Sequence, residues 1–271
     1  MLAFPNCKIN IGLQIISKRS DGYHNIATVF LPVYGLYDVI EVKKRDSFCF
    51  KSGGIATDFT AEDNLCVRAY YLLQKAYQLP PIQLYLYKNI PLGAGLGGGS
   101  ADAAFTLLLL NKFFDLQLTS EMLKNYAAEL GSDCSFFIDN KPSIGSGRGN
   151  ELRYLPSFSL KDKYIYIVKP PIHINTAKAY ATAQASQPAV PLEELIQQPL
   201  YQWKNNVVND FEKWIFPQYP LLQKIKDELY EKGAVYAAMS GSGSSLYGIF
   251  DKMPEKITTF QQDYFQWIGK L

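Results

Sequence analysis

Residues 93–99 read Gly-Ala-Gly-Leu-Gly-Gly-Gly, five glycines in seven positions. Such a segment loses much chain entropy on folding. It makes sense where backbone N–H groups must turn toward an anion with no Cβ in the way. Ahead of it, Ile82 to Tyr87 alternate in polarity, the period of a strand. Behind it, Ser100 to Phe114 is a strongly helical run whose N-terminal dipole attracts phosphate. Strand, glycine loop and helix together make a phosphate cradle. Three other readings compete with it. A Walker A loop ends in Gly-Lys-Ser/Thr, but here Gly99 is followed directly by Ser100. The spacing of Gly93, Gly95 and Gly98 satisfies a dinucleotide fingerprint, yet Asn89-Ile90-Pro91 separates strand from glycines. The third is a flexible linker, against which the well-formed strand before and helix after both weigh.

The rest of the chain is that of a globular protein. It has 271 residues, 48% hydrophobic and 19% charged, enough for one large or two modest cores. Net charge is +2 and the basic residues are scattered, which argues against nucleic acid as a partner. The N-terminus lacks a basic region followed by an apolar one, and the apolar stretch at Leu107–Leu110 is too short to span a bilayer. The expectation is a cytoplasmic protein with no membrane partner, as a monomer or weak homodimer. Cys7, Cys49, Cys66 and Cys134 include no C-x-x-C pair and there are two histidines, so they read as free thiols and not a zinc site.

Along the chain, Lys8, Asn10, Gly12 and Gln14 alternate with Ile9, Ile11, Leu13 and Ile15, predicting a strand with one polar and one core face. Ser20-Asp21-Gly22 is a turn. Strands are expected at 29–33 and 39–42. A helix over 64–78 has Asp63 or Asn64 as its cap, and another follows Thr119 and stops at Gly131. Residues 145–149 look like a hairpin connection, 164–168 like a strand, and 186–191 like a surface loop. Two or three helices fill 192–231, closed by Gly233. Strands at 235–239 and 246–250 flank Ser-Gly-Ser-Gly-Ser-Ser, and a last helix runs to the C-terminus. The fold class is α+β, with a boundary near residue 155.

Pro91-Leu92-Gly93-Ala94-Gly95-Leu96-Gly97-Gly98-Gly99-Ser100-Ala101 resembles the signature loop of the GHMP kinases, and Ser240–Ser245 their third motif. Lys8-Ile-Asn10-Ile-Gly-Leu, Arg19-Ser-Asp21-Gly22-Tyr23-His24, the Gly-Gly-Gly-Ser form of the loop and Gly131-Ser132-Asp133 with Phe136-Phe137 are similar to the branch acting on 4-diphosphocytidyl-2-C-methyl-D-erythritol. The resemblance runs from residue 8 to about 250 and is densest before 140. It implies a two-lobed fold with the active site in the cleft between lobes. Residues 1–155 would form an ATP-binding and catalytic domain, and 156–271 a C-terminal α+β domain. The implied reaction moves the γ-phosphoryl group of ATP, with Mg2+, onto the 2-hydroxyl of that cytidine diphosphate conjugate, in the non-mevalonate route to isoprenoid precursors. The alternatives are a homoserine- or mevalonate-type kinase, or a non-catalytic ATP-binding sensor. The Asp-Gly-Tyr-His segment speaks against the first, and retention of Lys8 and Asp133 against the second.

The resemblance also assigns roles, each beside a plainer one. Asp133 is a general base that takes the hydroxyl proton, or a loop-end aspartate in a local turn. Lys8 offsets charge on the transferring phosphoryl group, or is a solvated strand lysine. Asn10, on the same face, orients the substrate hydroxyl. Tyr23 stacks on cytosine and His24 bonds its edge, or the pair packs a hairpin. Thr176 and Tyr180, four apart on a helix, share a face, with Tyr180 as a second stacking ring. Asn64 contacts adenine, or only caps its helix. Lys88 is a surface lysine or a nucleotide contact. No protein ligand is assigned to the metal; phosphates and water supply its shell.

Overall fold

The computed structural model describes residues 1–56 and 60–271. In chain order the elements are β1 (Leu2–Ala3), β2 (Asn6–Lys18), β3 (His24–Tyr37), β4 (Val39–Lys44), β5 (Cys49–Gly54), α1 (Leu65–Tyr77), β6 (Ile82–Lys88), α2 (Gly98–Phe113), α3 (Ser120–Leu130) and α4 (Cys134–Asp139). They continue with β7 (Ser143–Ser146), β8 (Glu151–Tyr154), β9 (Tyr164–Lys169), α5 (Thr176–Thr182), α6 (Leu192–Leu195), α7 (Trp203–Asn206), α8 (Glu212–Gln218), α9 (Pro220–Glu231), β10 (Tyr236–Met239), β11 (Leu246–Phe250) and β12 (Phe265–Lys270). Asn64 caps α1 by accepting from the Cys66 amide, and Thr119 caps α3 through the Met122 amide. Gly131 ends α3 in extended backbone (φ 172°), not as a left-handed cap. Pro220 opens α9, where its missing N–H costs nothing.

Packing divides the chain into two compact units that are not contiguous in sequence. The first comprises Met1–Cys7, Leu36–Leu92 and Gly97–Lys141. Its sheet has the order β1-β4-β6-β5, with β4–β6 antiparallel and β5–β6 parallel. Ile40, Val42, Leu84 and Leu86 are buried on one face of that sheet. Helix α2 packs against α1, α3, α4 and β4. Ala101, Ala103, Ala104, Leu107 and Leu110 on it are fully buried. A helix with apolar residues on all sides belongs inside a core, and this one is there.

The second unit comprises Lys8–Gly35, Gly93–Leu96 and Pro142–Leu271. It holds two sheets, ordered β2-β3-β7-β8 and β10-β11-β9-β12. Ile15, Tyr166, Val168, Phe211, Ile215, Leu222, Ile225 and Met239 belong to its core. The β7–β8 connection at 147–150 is the expected hairpin, with Gly147 and Gly149 at positive φ.

Three expectations need correction. The chain ends in a strand, not a helix: β12 pairs antiparallel with β9, Trp267 opposite Ile167. Buried Ile257, Phe260 and Tyr264 have helix-like spacing, but they lie in turns and irregular backbone ahead of that strand. The stretch 192–231 holds α6 to α9 and a 3-10 turn at Leu200–Gln202, more than two or three helices. Pro191, Pro199 and Pro220 each stand just before or at the start of a helical turn and divide it. Finally, β2 has no solvated face: Asn6 to Ile15 are all buried. Since α2 fills the middle of its unit, Leu107→Ala should lower unfolding free energy by roughly 2–5 kcal/mol. Urea denaturation checks this; a loss below about 1 kcal/mol would contradict a core position for α2.

Candidate active site

Within the second unit, four separated segments meet at the glycine loop. Lys8 and Asn10 point from β2 into the protein, each 3% exposed. Lys8 Nζ donates to Asn10 Oδ1 (2.5 Å) and the Gly95 carbonyl (3.2 Å), and lies 5.2 Å from the Phe30 ring centre. Asn10 Nδ2 donates to Thr28 Oγ1 at 3.0 Å, and Thr28 in turn donates to the Gly12 carbonyl. Lys8 is therefore no solvated strand lysine; the polar side of β2 is sealed by partners. Ser240 supplies the link to the late loop. Its hydroxyl accepts from the Asn10 amide (3.2 Å) and donates to the Gly95 carbonyl (2.8 Å). The Ser245 amide donates to the Ala94 carbonyl, and the Lys8 amide to the Leu96 carbonyl. Gly95 has φ +73°, and a Cβ there would lie 2.0 Å from the Ser240 carbonyl oxygen. Only glycine fits that contact.

The continuation of the loop lies in the first unit. Gly97 precedes α2 with φ +70°, and the Ala101 amide bonds back to the Gly97 carbonyl. The first amides of a helix have no partner within it and can meet an anion. Gly98 is needed for packing, since a Cβ would meet Ile90 Cγ2 at 2.8 Å. Gly99 is different: the nearest atom to its Cβ position is Leu65 Cδ1 at 3.8 Å. Pro91 is buried and Leu92 partly so. Asn64 sits where the sequence places it, as the α1 cap.

Asp133 is half-buried at the N-terminus of α4, and its side chain does not cap that helix. Its neighbour Cys134 is buried. Burial pushes the Cys134 thiol up to about 12, opposed by a hydrogen bond with Ser100. It stays a protonated packing residue. Lys88, expected at the surface or on a nucleotide, is not at the surface: it is buried between Asp38 and Asp102.

The proposed base-binding residues lie in the second unit. Tyr23 is 53% exposed, and the Arg148 guanidinium carbon sits 4.7 Å from its ring centre. His24 is buried and stacks on Tyr180, with centroids 5.4 Å apart and planes at 19°. Burial, and then the Lys18 charge, lower the His24 pKa, so the ring is neutral at pH 7. Its Nδ1 is enclosed with no protein partner. Thr176 and Tyr180 do share α5, and the Thr176 hydroxyl meets that of Ser242 at 2.8 Å.

Sequence reasoning missed Asn209, Asp210 and Glu212. Asn209 Nδ2 donates to the Met239 and Gly241 carbonyls at 2.8 and 2.7 Å. Asp210 accepts from the Ile15 amide, and Glu212 from the Met239 amide and Lys226. Asn209 and Glu212 hold the base of the loop that holds Gly95, and Asp210 holds β2. In the sequence they look like helix-cap residues ahead of α8, which hides their reach to β10.

Gly99 leaves room beside the first amides of α2, which have no partner within the helix, so this end of the loop fits a phosphate group of ATP. Among the described residues no three His, Cys, Asp or Glu side chains gather as a metal cluster.

Comparison with known proteins agrees with this construction. The family profile of the GHMP kinases N terminal domain matches residues 64–141, and that of the GHMP kinases C terminal domain 192–258. A crystal structure of 4-(cytidine 5'-diphospho)-2C-methyl-D-erythritol kinase superposes with TM-score 0.79 at 28% identity, covering 92% of this chain and 90% of that one. Methanococcus jannaschii mevalonate kinase shares the fold, with TM-score 0.70 at 13% identity over 92% and 90% of the two chains. The 4-diphosphocytidyl-2-C-methyl-D-erythritol kinase of Bacteroides fragilis (strain YCH46) is 51% identical over 95% of this chain and 94% of its own. That of Parabacteroides distasonis is 46% identical over the full length of both. The chain belongs to the 4-diphosphocytidyl-2-C-methyl-D-erythritol kinase family of the GHMP kinases.

Asn209→Ala would leave buried carbonyls without donors. Stability should fall by about 1–3 kcal/mol. Thermal melting measures it; an unchanged melting temperature would contradict the anchoring role.

Proposed function

We propose that this chain transfers the γ-phosphoryl group of ATP to the 2-hydroxyl of 4-diphosphocytidyl-2-C-methyl-D-erythritol, a step toward isoprenoid precursors. It does so in the cytoplasm, where ATP is abundant. The observation that carries this reading is the joining of three motifs. Lys8 and Asn10, the 93–96 loop and the 240–245 loop are bonded together, in a chain whose full-length relatives carry that kinase name. Among the described residues no helix is long and apolar enough to cross a membrane.

In this reading the segment Pro91–Ala101 cradles the triphosphate. Backbone amides at Gly97–Ser100 donate to phosphate oxygens, and Asn64 at the start of α1 contacts the adenine. Gly99, with space where its Cβ would stand, is where phosphate comes nearest the backbone. Phosphoryl transfer asks mainly for positioning and charge. Lys8, fixed by Asn10 and the Gly95 carbonyl, offsets negative charge that spreads over the transferring group. Asn10 aligns the acceptor hydroxyl. Asp133, whose side chain is not used as a cap, takes its proton. Mg2+ would enter with ATP, held by phosphates and water, and would neutralise phosphate charge.

Tyr23, His24, Thr176 and Tyr180 hold the cytidine end. A neutral His24 with an unpartnered Nδ1 can exchange a hydrogen bond with a base edge, and exposed Tyr23 offers a stacking face. Tyr180 presses its ring on His24 and sets that imidazole's plane. Binding energy far from the reacting hydroxyl holds it in line.

Two variants separate chemistry from binding. Asp133→Asn should lower kcat by about 10²-fold or more with little change in substrate affinity. Near-normal turnover would remove Asp133 as the base. Tyr23→Ala should weaken the cytidine substrate by roughly 1–3 kcal/mol and leave an ATP analogue unaffected. Equal weakening of both ligands in parallel titrations would refute the cytidine site. A third variant, Gly99→Ala, should melt no lower than the parent, yet bind ATP more weakly. Unchanged ATP affinity by calorimetry would move the phosphates away from this amide.

A further inference from the structure

A second polar cluster lies in the first unit, beside the start of α2, among side chains given no role above. Lys88 Nζ donates to Asp102 Oδ2 at 2.6 Å and to Asp38 Oδ2. Asp38 Oδ1 accepts from the Asn89 and Ile90 amides at 2.5 and 2.8 Å. The three side chains are at most 3% exposed. Lys88 ends β6, Asp38 stands between β3 and β4, and Asp102 is in the second turn of α2. The cluster therefore grips the chain just before the glycine segment, at 88–90, and just after it, at 102.

With both acids ionised its charges do not cancel. One ammonium faces two carboxylates in a dry interior, where a net charge is costly. Asp102 Oδ1 is enclosed with no donor, and the two carboxyl groups lie within hydrogen-bond reach of each other. A hydrogen bond between two carboxyl groups requires a proton on one of them. Asp38 already serves three donors, so Asp102 is the group that takes it. Burial pushes Asp102 up to about 8; Lys88 opposes this and Asp38 adds to it. Burial works to lower Lys88, but Asp102 and Asp38 more than offset it and raise its pKa. Among the described residues Cys66 on α1 also faces Asp102, kept a neutral thiol by burial. Thr106, bonded to the Asp102 carbonyl, closes the α2 side.

We propose that Asp38, Lys88 and Asp102 are positioning residues for the nucleotide. They form a neutral cluster of carboxylate, ammonium and carboxylic acid that fixes where the glycine segment begins and where α2 starts. The proposal rests on the reading that residues 91–101 bind ATP. It predicts an asymmetry between the two acids. Asp102→Asn keeps the shape of the neutral acid, an acceptor for Lys88 and a donor for Asp38. Asp38→Asn places an amide donor among three donors.

The test combines steady-state kinetics with urea denaturation from pH 5 to pH 9. Asp38→Asn should raise KM for ATP about tenfold or more, with a smaller change in kcat and none in KM for the cytidine conjugate. Asp102→Asn, the conservative change, should hold all three within about twofold. The unfolded chain releases the Asp102 proton near pH 4 and the folded chain near pH 8. Between those values the folded state holds one proton more, so the parent loses stability as pH rises. Relative to Asp102→Asn, its folding constant should fall by up to about tenfold per pH unit across that window and level off above it. Parallel pH curves, or an Asp102→Asn variant as impaired as Asp38→Asn, would overturn the proposal. Should Asp38→Asn fail to fold, the Asp102→Asn kinetics and pH curves decide. A parent without ATP turnover would overturn the nucleotide reading and the positioning role with it, while the pH difference would still judge the neutral cluster.

Discussion

The hydroxyl of Ser240 accepts from the Asn10 amide and donates to the Gly95 carbonyl, and much of the site depends on that one side chain. It joins the first long strand, the glycine loop and the late serine-glycine loop, segments 85 and 145 residues from one another along the chain. Lys8 adds its ammonium to the same Gly95 carbonyl. A loop so rich in glycine has a large entropy to lose and little side-chain surface to bury. Its order comes from backbone carbonyls claimed by donors on other segments. Those donors are themselves fixed: Asn209 holds the carbonyls of Met239 and Gly241, and Glu212 holds the Met239 amide.

The glycines serve separate needs within one short run. Gly95 touches the Ser240 carbonyl so closely that no Cβ fits, and Gly98 lies against Ile90. Gly99 has open space instead. The first two are required by the protein's own packing, and the third is not, which is why the proposed function puts a phosphate there. That distinction is what makes a cradle out of the run and not a linker, because a linker has no contacts that forbid a side chain.

Much of this was legible in the sequence, for identifiable reasons. The glycine run between a period-two strand and a helix announced the loop, and Asn64 and Thr119 announced their helices by cap chemistry. The helix-like spacing of Ile257, Phe260 and Tyr264 hid a final strand because apolar residues in turns can mimic that period. The alternation in β2 suggested a wet face, and pattern alone cannot tell a polar face toward water from one toward Ser240, Thr28 and Tyr247. Lys88 was unreadable for the same reason: its two carboxylate partners lie 50 and 14 residues away. Asn209 went unread, since its long-range bonds go to backbone carbonyls, which carry no sequence signal. For the proposed cytidine end, Tyr23 and His24 were visible as a motif. That His24, and not Tyr23, lies on Tyr180 is a fact of packing.

The central claim is that the site serves a kinase for a cytidine diphosphate conjugate and not for a small acid or alcohol. The most direct measurement is ADP release from ATP with 4-diphosphocytidyl-2-C-methyl-D-erythritol, homoserine and mevalonate offered separately to the same enzyme. The account predicts turnover with the cytidine conjugate and background rates with the other two. A kcat/KM for homoserine or mevalonate equal to or above that for the conjugate would contradict it, as would ATP binding with turnover of none of the three.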